Sequence, residues 1–176
     1  MRNVGIPSSL SLFLFPALVP LDTLAICRPE YQNLPGGLVH TACKPPNPDC
    51  ILVKTGLSAS DKAEALKAHN DLRSQVAQGR LSGFPTATNM HRLEWDDELA
   101  EVAQAFADQC KGQPDKQEQR ITTKFQNVGQ NFAHNLESTN DPVAGSASHV
   151  KEWFDQYKDF NPGNVDSFSV TGGRCY

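Results

Sequence analysis

Residues 96–110, with the sequence DDELAEVAQAFADQC, form the stretch that decides the fold of this chain of 176 residues. Asp97 and Glu98 stand at its start, where the positive end of a helix dipole favours carboxylates. Apolar residues then recur at steps of three and four, which predicts an amphipathic helix that begins at Asp96. The predicted apolar stripe contains Leu99, Val102, Ala103, Phe106, Ala107 and Cys110.

A second helix is predicted before this stretch. Residues Ser58 to Asp61 have the pattern of a capping box with Asp in place of Glu, and good helix formers continue to Gly79. Glycine is the residue type that most often ends a helix. One face of this helix is expected to carry Leu66, Asn70, Arg73 and Val76.

The segments after residue 110 alternate between loop and regular structure. Residues 111–126 are polar and aperiodic, which predicts an exposed loop, and residues 128–133 are expected to form a short strand. A third helix is predicted to start at Pro142, after Asp141, and to stop before Pro162. Its buried side is expected to carry Val143, Ala147, Val150, Phe154 and Tyr157.

The N-terminal part divides into two segments. Residues 1–25 have the layout of a secretory signal peptide, with Arg2 before an apolar run and cleavage predicted after Ala25. A membrane anchor is the alternative, but the run is interrupted by prolines and has about half the length that a bilayer requires. Residues 26–57 are rich in Pro, Gly and Cys, which indicates a loop-rich extension fastened by disulfides rather than a plain linker.

Charge and cysteine content narrow the class of protein. The net charge is −4 with no basic face, which argues against nucleic acid or anionic lipid as the main partner. No later segment is apolar enough to span a membrane, so the mature chain is expected to be one secreted domain. All five cysteines follow the predicted cleavage site, and in an oxidising compartment four of them can pair.

No motif for catalysis or metal binding is present in the sequence. There is no Gly-x-Ser-x-Gly turn and no His-Glu-x-x-His or His-x-x-x-His spacing. We therefore predict no catalytic residue, no metal ligand and no cofactor. On the helix before residue 79, His69, Asn70 and Arg73 either bridge to neighbouring segments or form an ordinary solvated face.

Four motifs together carry a family resemblance: HNDLR at 69–73, LEWDDELA at 93–100, ADQC at 107–110 and VGQN at 128–131. They resemble the CAP superfamily of cysteine-rich secretory, antigen-five and pathogenesis-related proteins. GGLVHTAC at 36–43 resembles the N-terminal extension of its arthropod venom-allergen branch. The resemblance implies secretion, no obligatory cofactor, and an α+β fold, a three-layer α-β-α sandwich over residues 58–176. Because family members continue past this point, we expect C-terminal strands to be missing. The chain is then either an incomplete product, which we favour, or a protein that compensates through a partner.

The resemblance also implies a disulfide pattern. Cys27 should pair with Cys43 and Cys50 with Cys110, which leaves Cys175 as a lone thiol. A further pair is usual in this branch, but Tyr31 occupies the place of its first cysteine, and residues 111–126 contain none.

Some family members hold a divalent metal in a cleft of two histidines and two acids, and this chain departs from that pattern. Gln130 and Gln156 stand where acids are usual, and residues 111–126 contain no histidine. The expected function is therefore that of a secreted antigen-five-like venom or salivary protein that binds an extracellular or host partner without catalysis. A carrier of a small lipid or sterol is the alternative, and a metal-dependent peptidase is a third. The motif residues expected to be structural, or to line a ligand cleft, are His69, Asn70, Arg73, Gly129, Gln130 and Asn131.

Overall fold

Three α-helices joined by irregular segments form the described part of the chain. The structure is a computed structural model that describes residues 27–52, 55–133 and 145–166. The helices are α1 (Ala59–Ala77), α2 (Asp97–Ala107) and α3 (Ser146–Asp155). Short 3₁₀ helices occupy Pro29–Tyr31, Pro35–Gly37, Thr41–Cys43, Gln117–Gln119, Gln156–Asp159 and Pro162–Asn164.

The strand predicted at residues 128–133 is wrong, because this segment has no regular structure. A strand requires a neighbour that completes its ladder of backbone hydrogen bonds, and the described ranges contain no strand at all. Side chains bind its carbonyls instead: Arg120 Nε donates to Val128 O at 2.7 Å, and Trp153 Nε1 donates to Phe132 O at 3.2 Å. The described residues therefore show only the helical part of the expected sandwich.

Local signals set both ends of α1. The Ser58 hydroxyl accepts from the Asp61 amide at 3.1 Å, and the Asp61 carboxylate accepts from the Ser58 amide at 3.0 Å. This is the predicted capping box. At the other end Gly79 has φ 66°, and its amide and the next one donate to the carbonyls of Val76 and Gln75. This pair of bonds is a Schellman motif, which satisfies carbonyls that the helix itself leaves open.

Helix α2 begins where expected, with Asp96 as its N-cap, but the face that it buries differs from the predicted one. The Asp96 carboxylate accepts from the Leu99 amide at 3.0 Å. The buried face consists of Glu98, Val102 and Phe106, whereas Ala103 and Ala107 from the predicted stripe are exposed. Large side chains gain more from burial than a methyl group does, so Val102 and Phe106 decide which face turns inward.

Helix α3 packs against α1. It begins at Ser146 with Gly145 as its N-cap, while the start predicted at residues 141–142 lies outside the described residues. Val150 is its buried residue, and Ala147, Phe154 and Tyr157 from the predicted face are half-buried.

The N-terminal extension packs against α2. Tyr31, Ala42 and Val102 form a buried core, with Cys43 and Ala105 packed against it. Both disulfides that the resemblance implied are present, Cys27–Cys43 and Cys50–Cys110. The second links the extension to the residues that follow α2.

The membrane prediction can be compared only in part. No helix in the described ranges is long and apolar enough to cross a membrane. The predicted signal peptide at residues 1–25 and the predicted lone thiol of Cys175 lie outside the described residues.

Candidate functional site

A largely apolar cleft between α1 and α3 brings several of the predicted motif residues together. Its volume is about 470 Å³, within the range of roughly 300–1,000 Å³ that is usual for small-molecule sites. The lining residues are His69, Leu72, Arg73, Val76, Met90, Leu93, Asn131, Val150, Trp153 and Phe154. We call this feature the α1–α3 cleft.

His69 lies in the cleft and is half-buried. Its Nδ1 lies 2.9 Å from the carbonyl oxygen of Ala65, one turn earlier in α1. A carbonyl only accepts, so Nδ1 carries the proton and donates it. The His69 ring also lies 6.2 Å from the Trp153 ring, measured between centroids. The bond to Ala65 orients the ring, but neither contact supplies the nucleophile that a histidine base activates.

Asn70 and Arg73 bind the backbone of the segment that leads to α2. Asn70 Nδ2 donates to Leu93 O at 3.1 Å, and the Leu93 amide donates to Asn70 Oδ1 at 2.8 Å. Arg73 donates through Nε and Nη2 to His91 O, at 3.0 and 2.6 Å. Both side chains therefore bridge α1 to residues 91–93. This agrees with the bridging role that the sequence suggested, and not with an ordinary solvated face.

The motif at residues 129–131 divides between two environments. Asn131 lines the α1–α3 cleft. Gln130 Oε1 accepts from Arg120 Nη1 at 3.3 Å, and the same guanidinium is paired with Asp115 at 2.7 Å. Gly129 is exposed, and a Cβ added there would meet no atom within 4 Å. Of the six predicted motif residues, His69, Arg73 and Asn131 line the cleft.

The described ranges contain no group of three or more His, Cys, Asp or Glu side chains that could hold a metal ion. Gln156, which stands where family members with a metal site have an acid, is exposed and follows the end of α3. A neutral amide is a weak ligand for zinc.

A second polar cluster, which the sequence analysis missed, lies between the extension and α2. Tyr31, His40 and Glu98 are only 2%, 0% and 7% exposed. The Tyr31 hydroxyl donates to Glu98 Oε1 at 2.5 Å, and Glu98 also accepts from the amide and hydroxyl of Thr123. Glu98 lies one turn before Val102 on the apolar face, and that spacing is the sequence signal that could have indicated its burial.

The environment of this cluster shifts the pKa of each member. Burial lowers the pKa of His40, because the charged ring would lose its hydration. Burial also raises the pKa of Tyr31, and the Glu98 carboxylate adds to that rise. For Glu98 itself burial acts to raise the pKa, but the hydrogen bonds from Thr123 and Tyr31 outweigh it and the pKa is lowered.

A comparison with family models supplies the identification. The model of the CAP group, described as the cysteine-rich secretory protein family, matches residues 66–171. This chain belongs to that family. The matched residues include α1 from Leu66, all of α2 and α3, and the α1–α3 cleft, so the cleft is part of the CAP domain.

Three curated relatives of this CAP protein come from arthropods. Venom allergen 5 of Vespula pensylvanica is 42% identical over 143 residues, which cover 76% of this chain and 68% of the relative. CRISP/Allergen/PR-1 of Trittame loki is 40% identical over 131 residues, which cover 73% of this chain and 32% of that relative. Scoloptoxin SSD43 of Scolopendra dehaani is 37% identical over 129 residues, which cover 70% of this chain and 56% of that relative. The matches therefore span between 32% and 68% of the length of these relatives.

Proposed function

We propose that this CAP protein is a secreted antigen-five-like venom or salivary protein that binds an extracellular or host partner and performs no catalysis. The observation that carries the proposal is the state of the polar motif side chains of α1. The described hydrogen bonds of His69, Asn70 and Arg73 all go to backbone groups of the same chain. Side chains held in this way maintain the shape of a surface that a partner could bind. The similarity to venom allergen 5 supports the venom or salivary setting.

The proposed absence of catalysis is supported by what general acid and base catalysis requires. A base needs a neighbouring group that orients it and a reacting group within hydrogen-bond reach. His69 donates its Nδ1 proton to Ala65 and packs near Trp153. Gln130 is bound to Arg120 and has no proton to exchange at neutral pH. The α1–α3 cleft is therefore better suited to holding an apolar group than to moving a proton.

Secretion is tested by the mass of the protein released from cells that express the full sequence. We expect a product that begins at Ile26, as cleavage after Ala25 requires. Alkylation before reduction should label Cys175 alone, and reduction should make the four cysteines of the two disulfides available. Retention of the full-length chain inside the cells, or a membrane-bound product that keeps residues 1–25, would contradict secretion.

Partner binding is tested with an immobilised panel of extracellular host proteins. We expect saturable binding of the folded protein to at least one member of the panel, and none after reduction and unfolding. Equal binding of the folded and unfolded forms would contradict recognition through a folded surface.

A second candidate, a carrier of a small lipid or sterol, is favoured by the apolar lining of the α1–α3 cleft. Leu72, Val76, Val150, Trp153 and Phe154 are among the residues that supply it. The Trp153 N–H is already bound to the Phe132 carbonyl. An aliphatic chain in such a cleft would contact these apolar side chains without displacing the Trp153 N–H from its partner.

Two variants with a single tryptophan test this candidate, because the chain contains two. Trp95→Phe leaves Trp153 in the cleft as the only reporter, and Trp153→Phe leaves the exposed Trp95 as a matched control. For a carrier, a fluorescent fatty acid or sterol should quench Trp153 saturably and leave Trp95 unchanged. Quenching that is absent, or equal in both variants, would contradict the candidate.

A further inference from the structure

The first part of the extension, residues 27–43, is closed on itself by a disulfide. Cys27–Cys43 joins its two ends, and the Cys50–Cys110 link to the region after α2 follows it in the chain. No disulfide among the described residues joins residues 27–43 to a helix. Its position on α2 therefore depends on noncovalent contacts.

The Tyr31–His40–Glu98 cluster is a buried polar part of that contact. The rings of Tyr31 and His40 are stacked, with centroids 3.8 Å apart and an interplanar angle of 8°. Tyr31 then donates to Glu98 of α2, which Thr123 holds from the other side. These bonds connect the extension, α2 and the loop after α2 through one carboxylate.

Both ring nitrogens of His40 are engaged, which restricts its protonation. Nδ1 accepts from the Ala42 amide at 3.1 Å, and Nε2 donates to Ile121 O at 2.8 Å. This arrangement requires the neutral ring with its proton on Nε2. A second proton would have to bind Nδ1, where it would face the Ala42 N–H. The docked extension therefore disfavours the charged form of His40.

Charged groups around His40 come from several elements. Glu98 of α2 and Asp115 of the following loop favour its charged form, whereas Lys44 of the extension opposes it. Asp115 accepts from the Thr41 hydroxyl at 2.5 Å and is paired with Arg120 at 2.7 Å, which offsets much of its charge. Burial is the largest influence on the His40 ring and favours the neutral form.

We propose that the Tyr31–His40–Glu98 cluster is an acid-sensitive latch that holds residues 27–43 on α2 at neutral pH and releases them when His40 is protonated. A released His40 has an ordinary pKa of about 6.5, and the docked ring has a lower one. The released state therefore binds the proton first, and docking weakens progressively as the pH falls below about 6.5. The lowered pKa of Glu98 acts in the same direction at still lower pH. Both disulfides remain closed, so the release is local and reversible.

Hydrogen exchange of the disulfide-intact protein at pH 7.5 and pH 5.5 tests the latch. The readout is the protection factor of the Ala42 amide, which His40 holds, corrected for the intrinsic exchange rate at each pH. Because the released state binds one more proton, the protection factor of Ala42 should fall by up to about tenfold between pH 7.5 and pH 5.5. The amides in the middle of α1 should keep their protection. Equal protection of Ala42 at both pH values, or a parallel fall in α1, would overturn the proposal.

Variants assign the effect to His40. His40→Gln should abolish the fall in Ala42 protection, whereas His91→Gln, which removes an exposed histidine side chain, should leave it unchanged. A fall that survives in His40→Gln would overturn the proposal. If His40→Gln does not fold, Tyr31→Phe provides the test. It should lower the protection of Ala42 at pH 7.5, and unchanged protection there would contradict the latch.

Discussion

At the scale of single residues, the polar motif side chains of α1 hold the chain together by binding its backbone. Asn70 is the clearest case, since its amide makes a matched pair of bonds with the backbone of Leu93. These two bonds fix the segment that leads into α2. Leu93 lies outside the helices, so no helical hydrogen bond holds its backbone.

Asn70→Ala should lower the free energy of unfolding by about 1–3 kcal/mol, because it removes two hydrogen bonds and leaves the Leu93 amide and carbonyl without them. Urea denaturation with the disulfides intact measures the change. Asn89→Ala is the matched control, since the Asn89 side chain is exposed, and we expect a change within about 0.5 kcal/mol. Equal effects of the two variants would show that the bonds to Leu93 contribute nothing.

Tyr31 offers a second test at this scale. Tyr31→Phe keeps the stacked ring but removes the bond to the Glu98 carboxylate, and should cost about 1.5–3 kcal/mol because that bond involves a charged group. Tyr157→Phe, at a half-buried tyrosine packed edge-on against Phe84 at 5.8 Å, should cost less than 1 kcal/mol. Thermal unfolding of both variants at pH 7.5 makes the comparison, and a smaller loss for Tyr31→Phe would contradict the role given to Glu98.

The sequence alone predicted the bridging residues better than the buried cluster. Asn70 and Arg73 lie three apart on one helical face, and that spacing is visible in the sequence. Glu98 belongs to a residue type that is usually exposed, and His40 to one of intermediate burial. Their burial depends on contacts with Ile121, Tyr31 and Thr123, which a local pattern does not reveal.

At the scale of elements, helix ends follow local chemistry. Gly79 ends α1 with φ 66°, and a Cβ at this position would lie 2.6 Å from Thr86 Cγ2. Both the backbone conformation and the contact exclude a larger residue without a shift of the chain.

Gly79→Ala should therefore destabilise the protein by at least about 1 kcal/mol. Gly112→Ala is the matched control, because a Cβ there meets nothing within 4 Å and the φ is not in the left-handed region. That variant should be neutral or slightly stabilising. Chemical denaturation of both proteins decides the point, and a neutral Gly79→Ala would contradict the structure at this turn.

The difference between local signals and contacts with distant residues explains which elements were predictable. The capping box of α1 and the N-cap of α2 are encoded within four residues, so the sequence located both starts correctly. The strand predicted at residues 128–133 depended on a distant partner, and the segment is held by Arg120 and Trp153 side chains instead. The sequence did not predict correctly which face of α2 is buried. The exposed positions of the predicted stripe within α2 are alanines, and burying a methyl group contributes little free energy.

At the scale of the whole molecule, the two disulfides should contribute unequally to stability. The Cys27–Cys43 bridge spans 16 residues of sequence and the Cys50–Cys110 bridge spans 60. In the chain-entropy model the longer loop restricts the unfolded state more.

Replacing Cys50 and Cys110 together by Ser should therefore cost about 1 kcal/mol more than replacing Cys27 and Cys43 together by Ser. Denaturation of the two double variants in parallel measures the difference. A larger loss from the Cys27–Cys43 pair would mean that the extension contributes more to the folded state than its loop length predicts.

We propose that this CAP protein acts by binding and that His69 is a structural residue of the α1–α3 cleft. The most direct test is hydrolysis of a panel of peptide and ester substrates by the purified secreted protein, measured beside its His69→Gln variant. We predict no turnover above the buffer blank for either protein. Turnover by the wild type that disappears in His69→Gln, while thermal stability stays within a few degrees, would contradict the claim and identify His69 as catalytic.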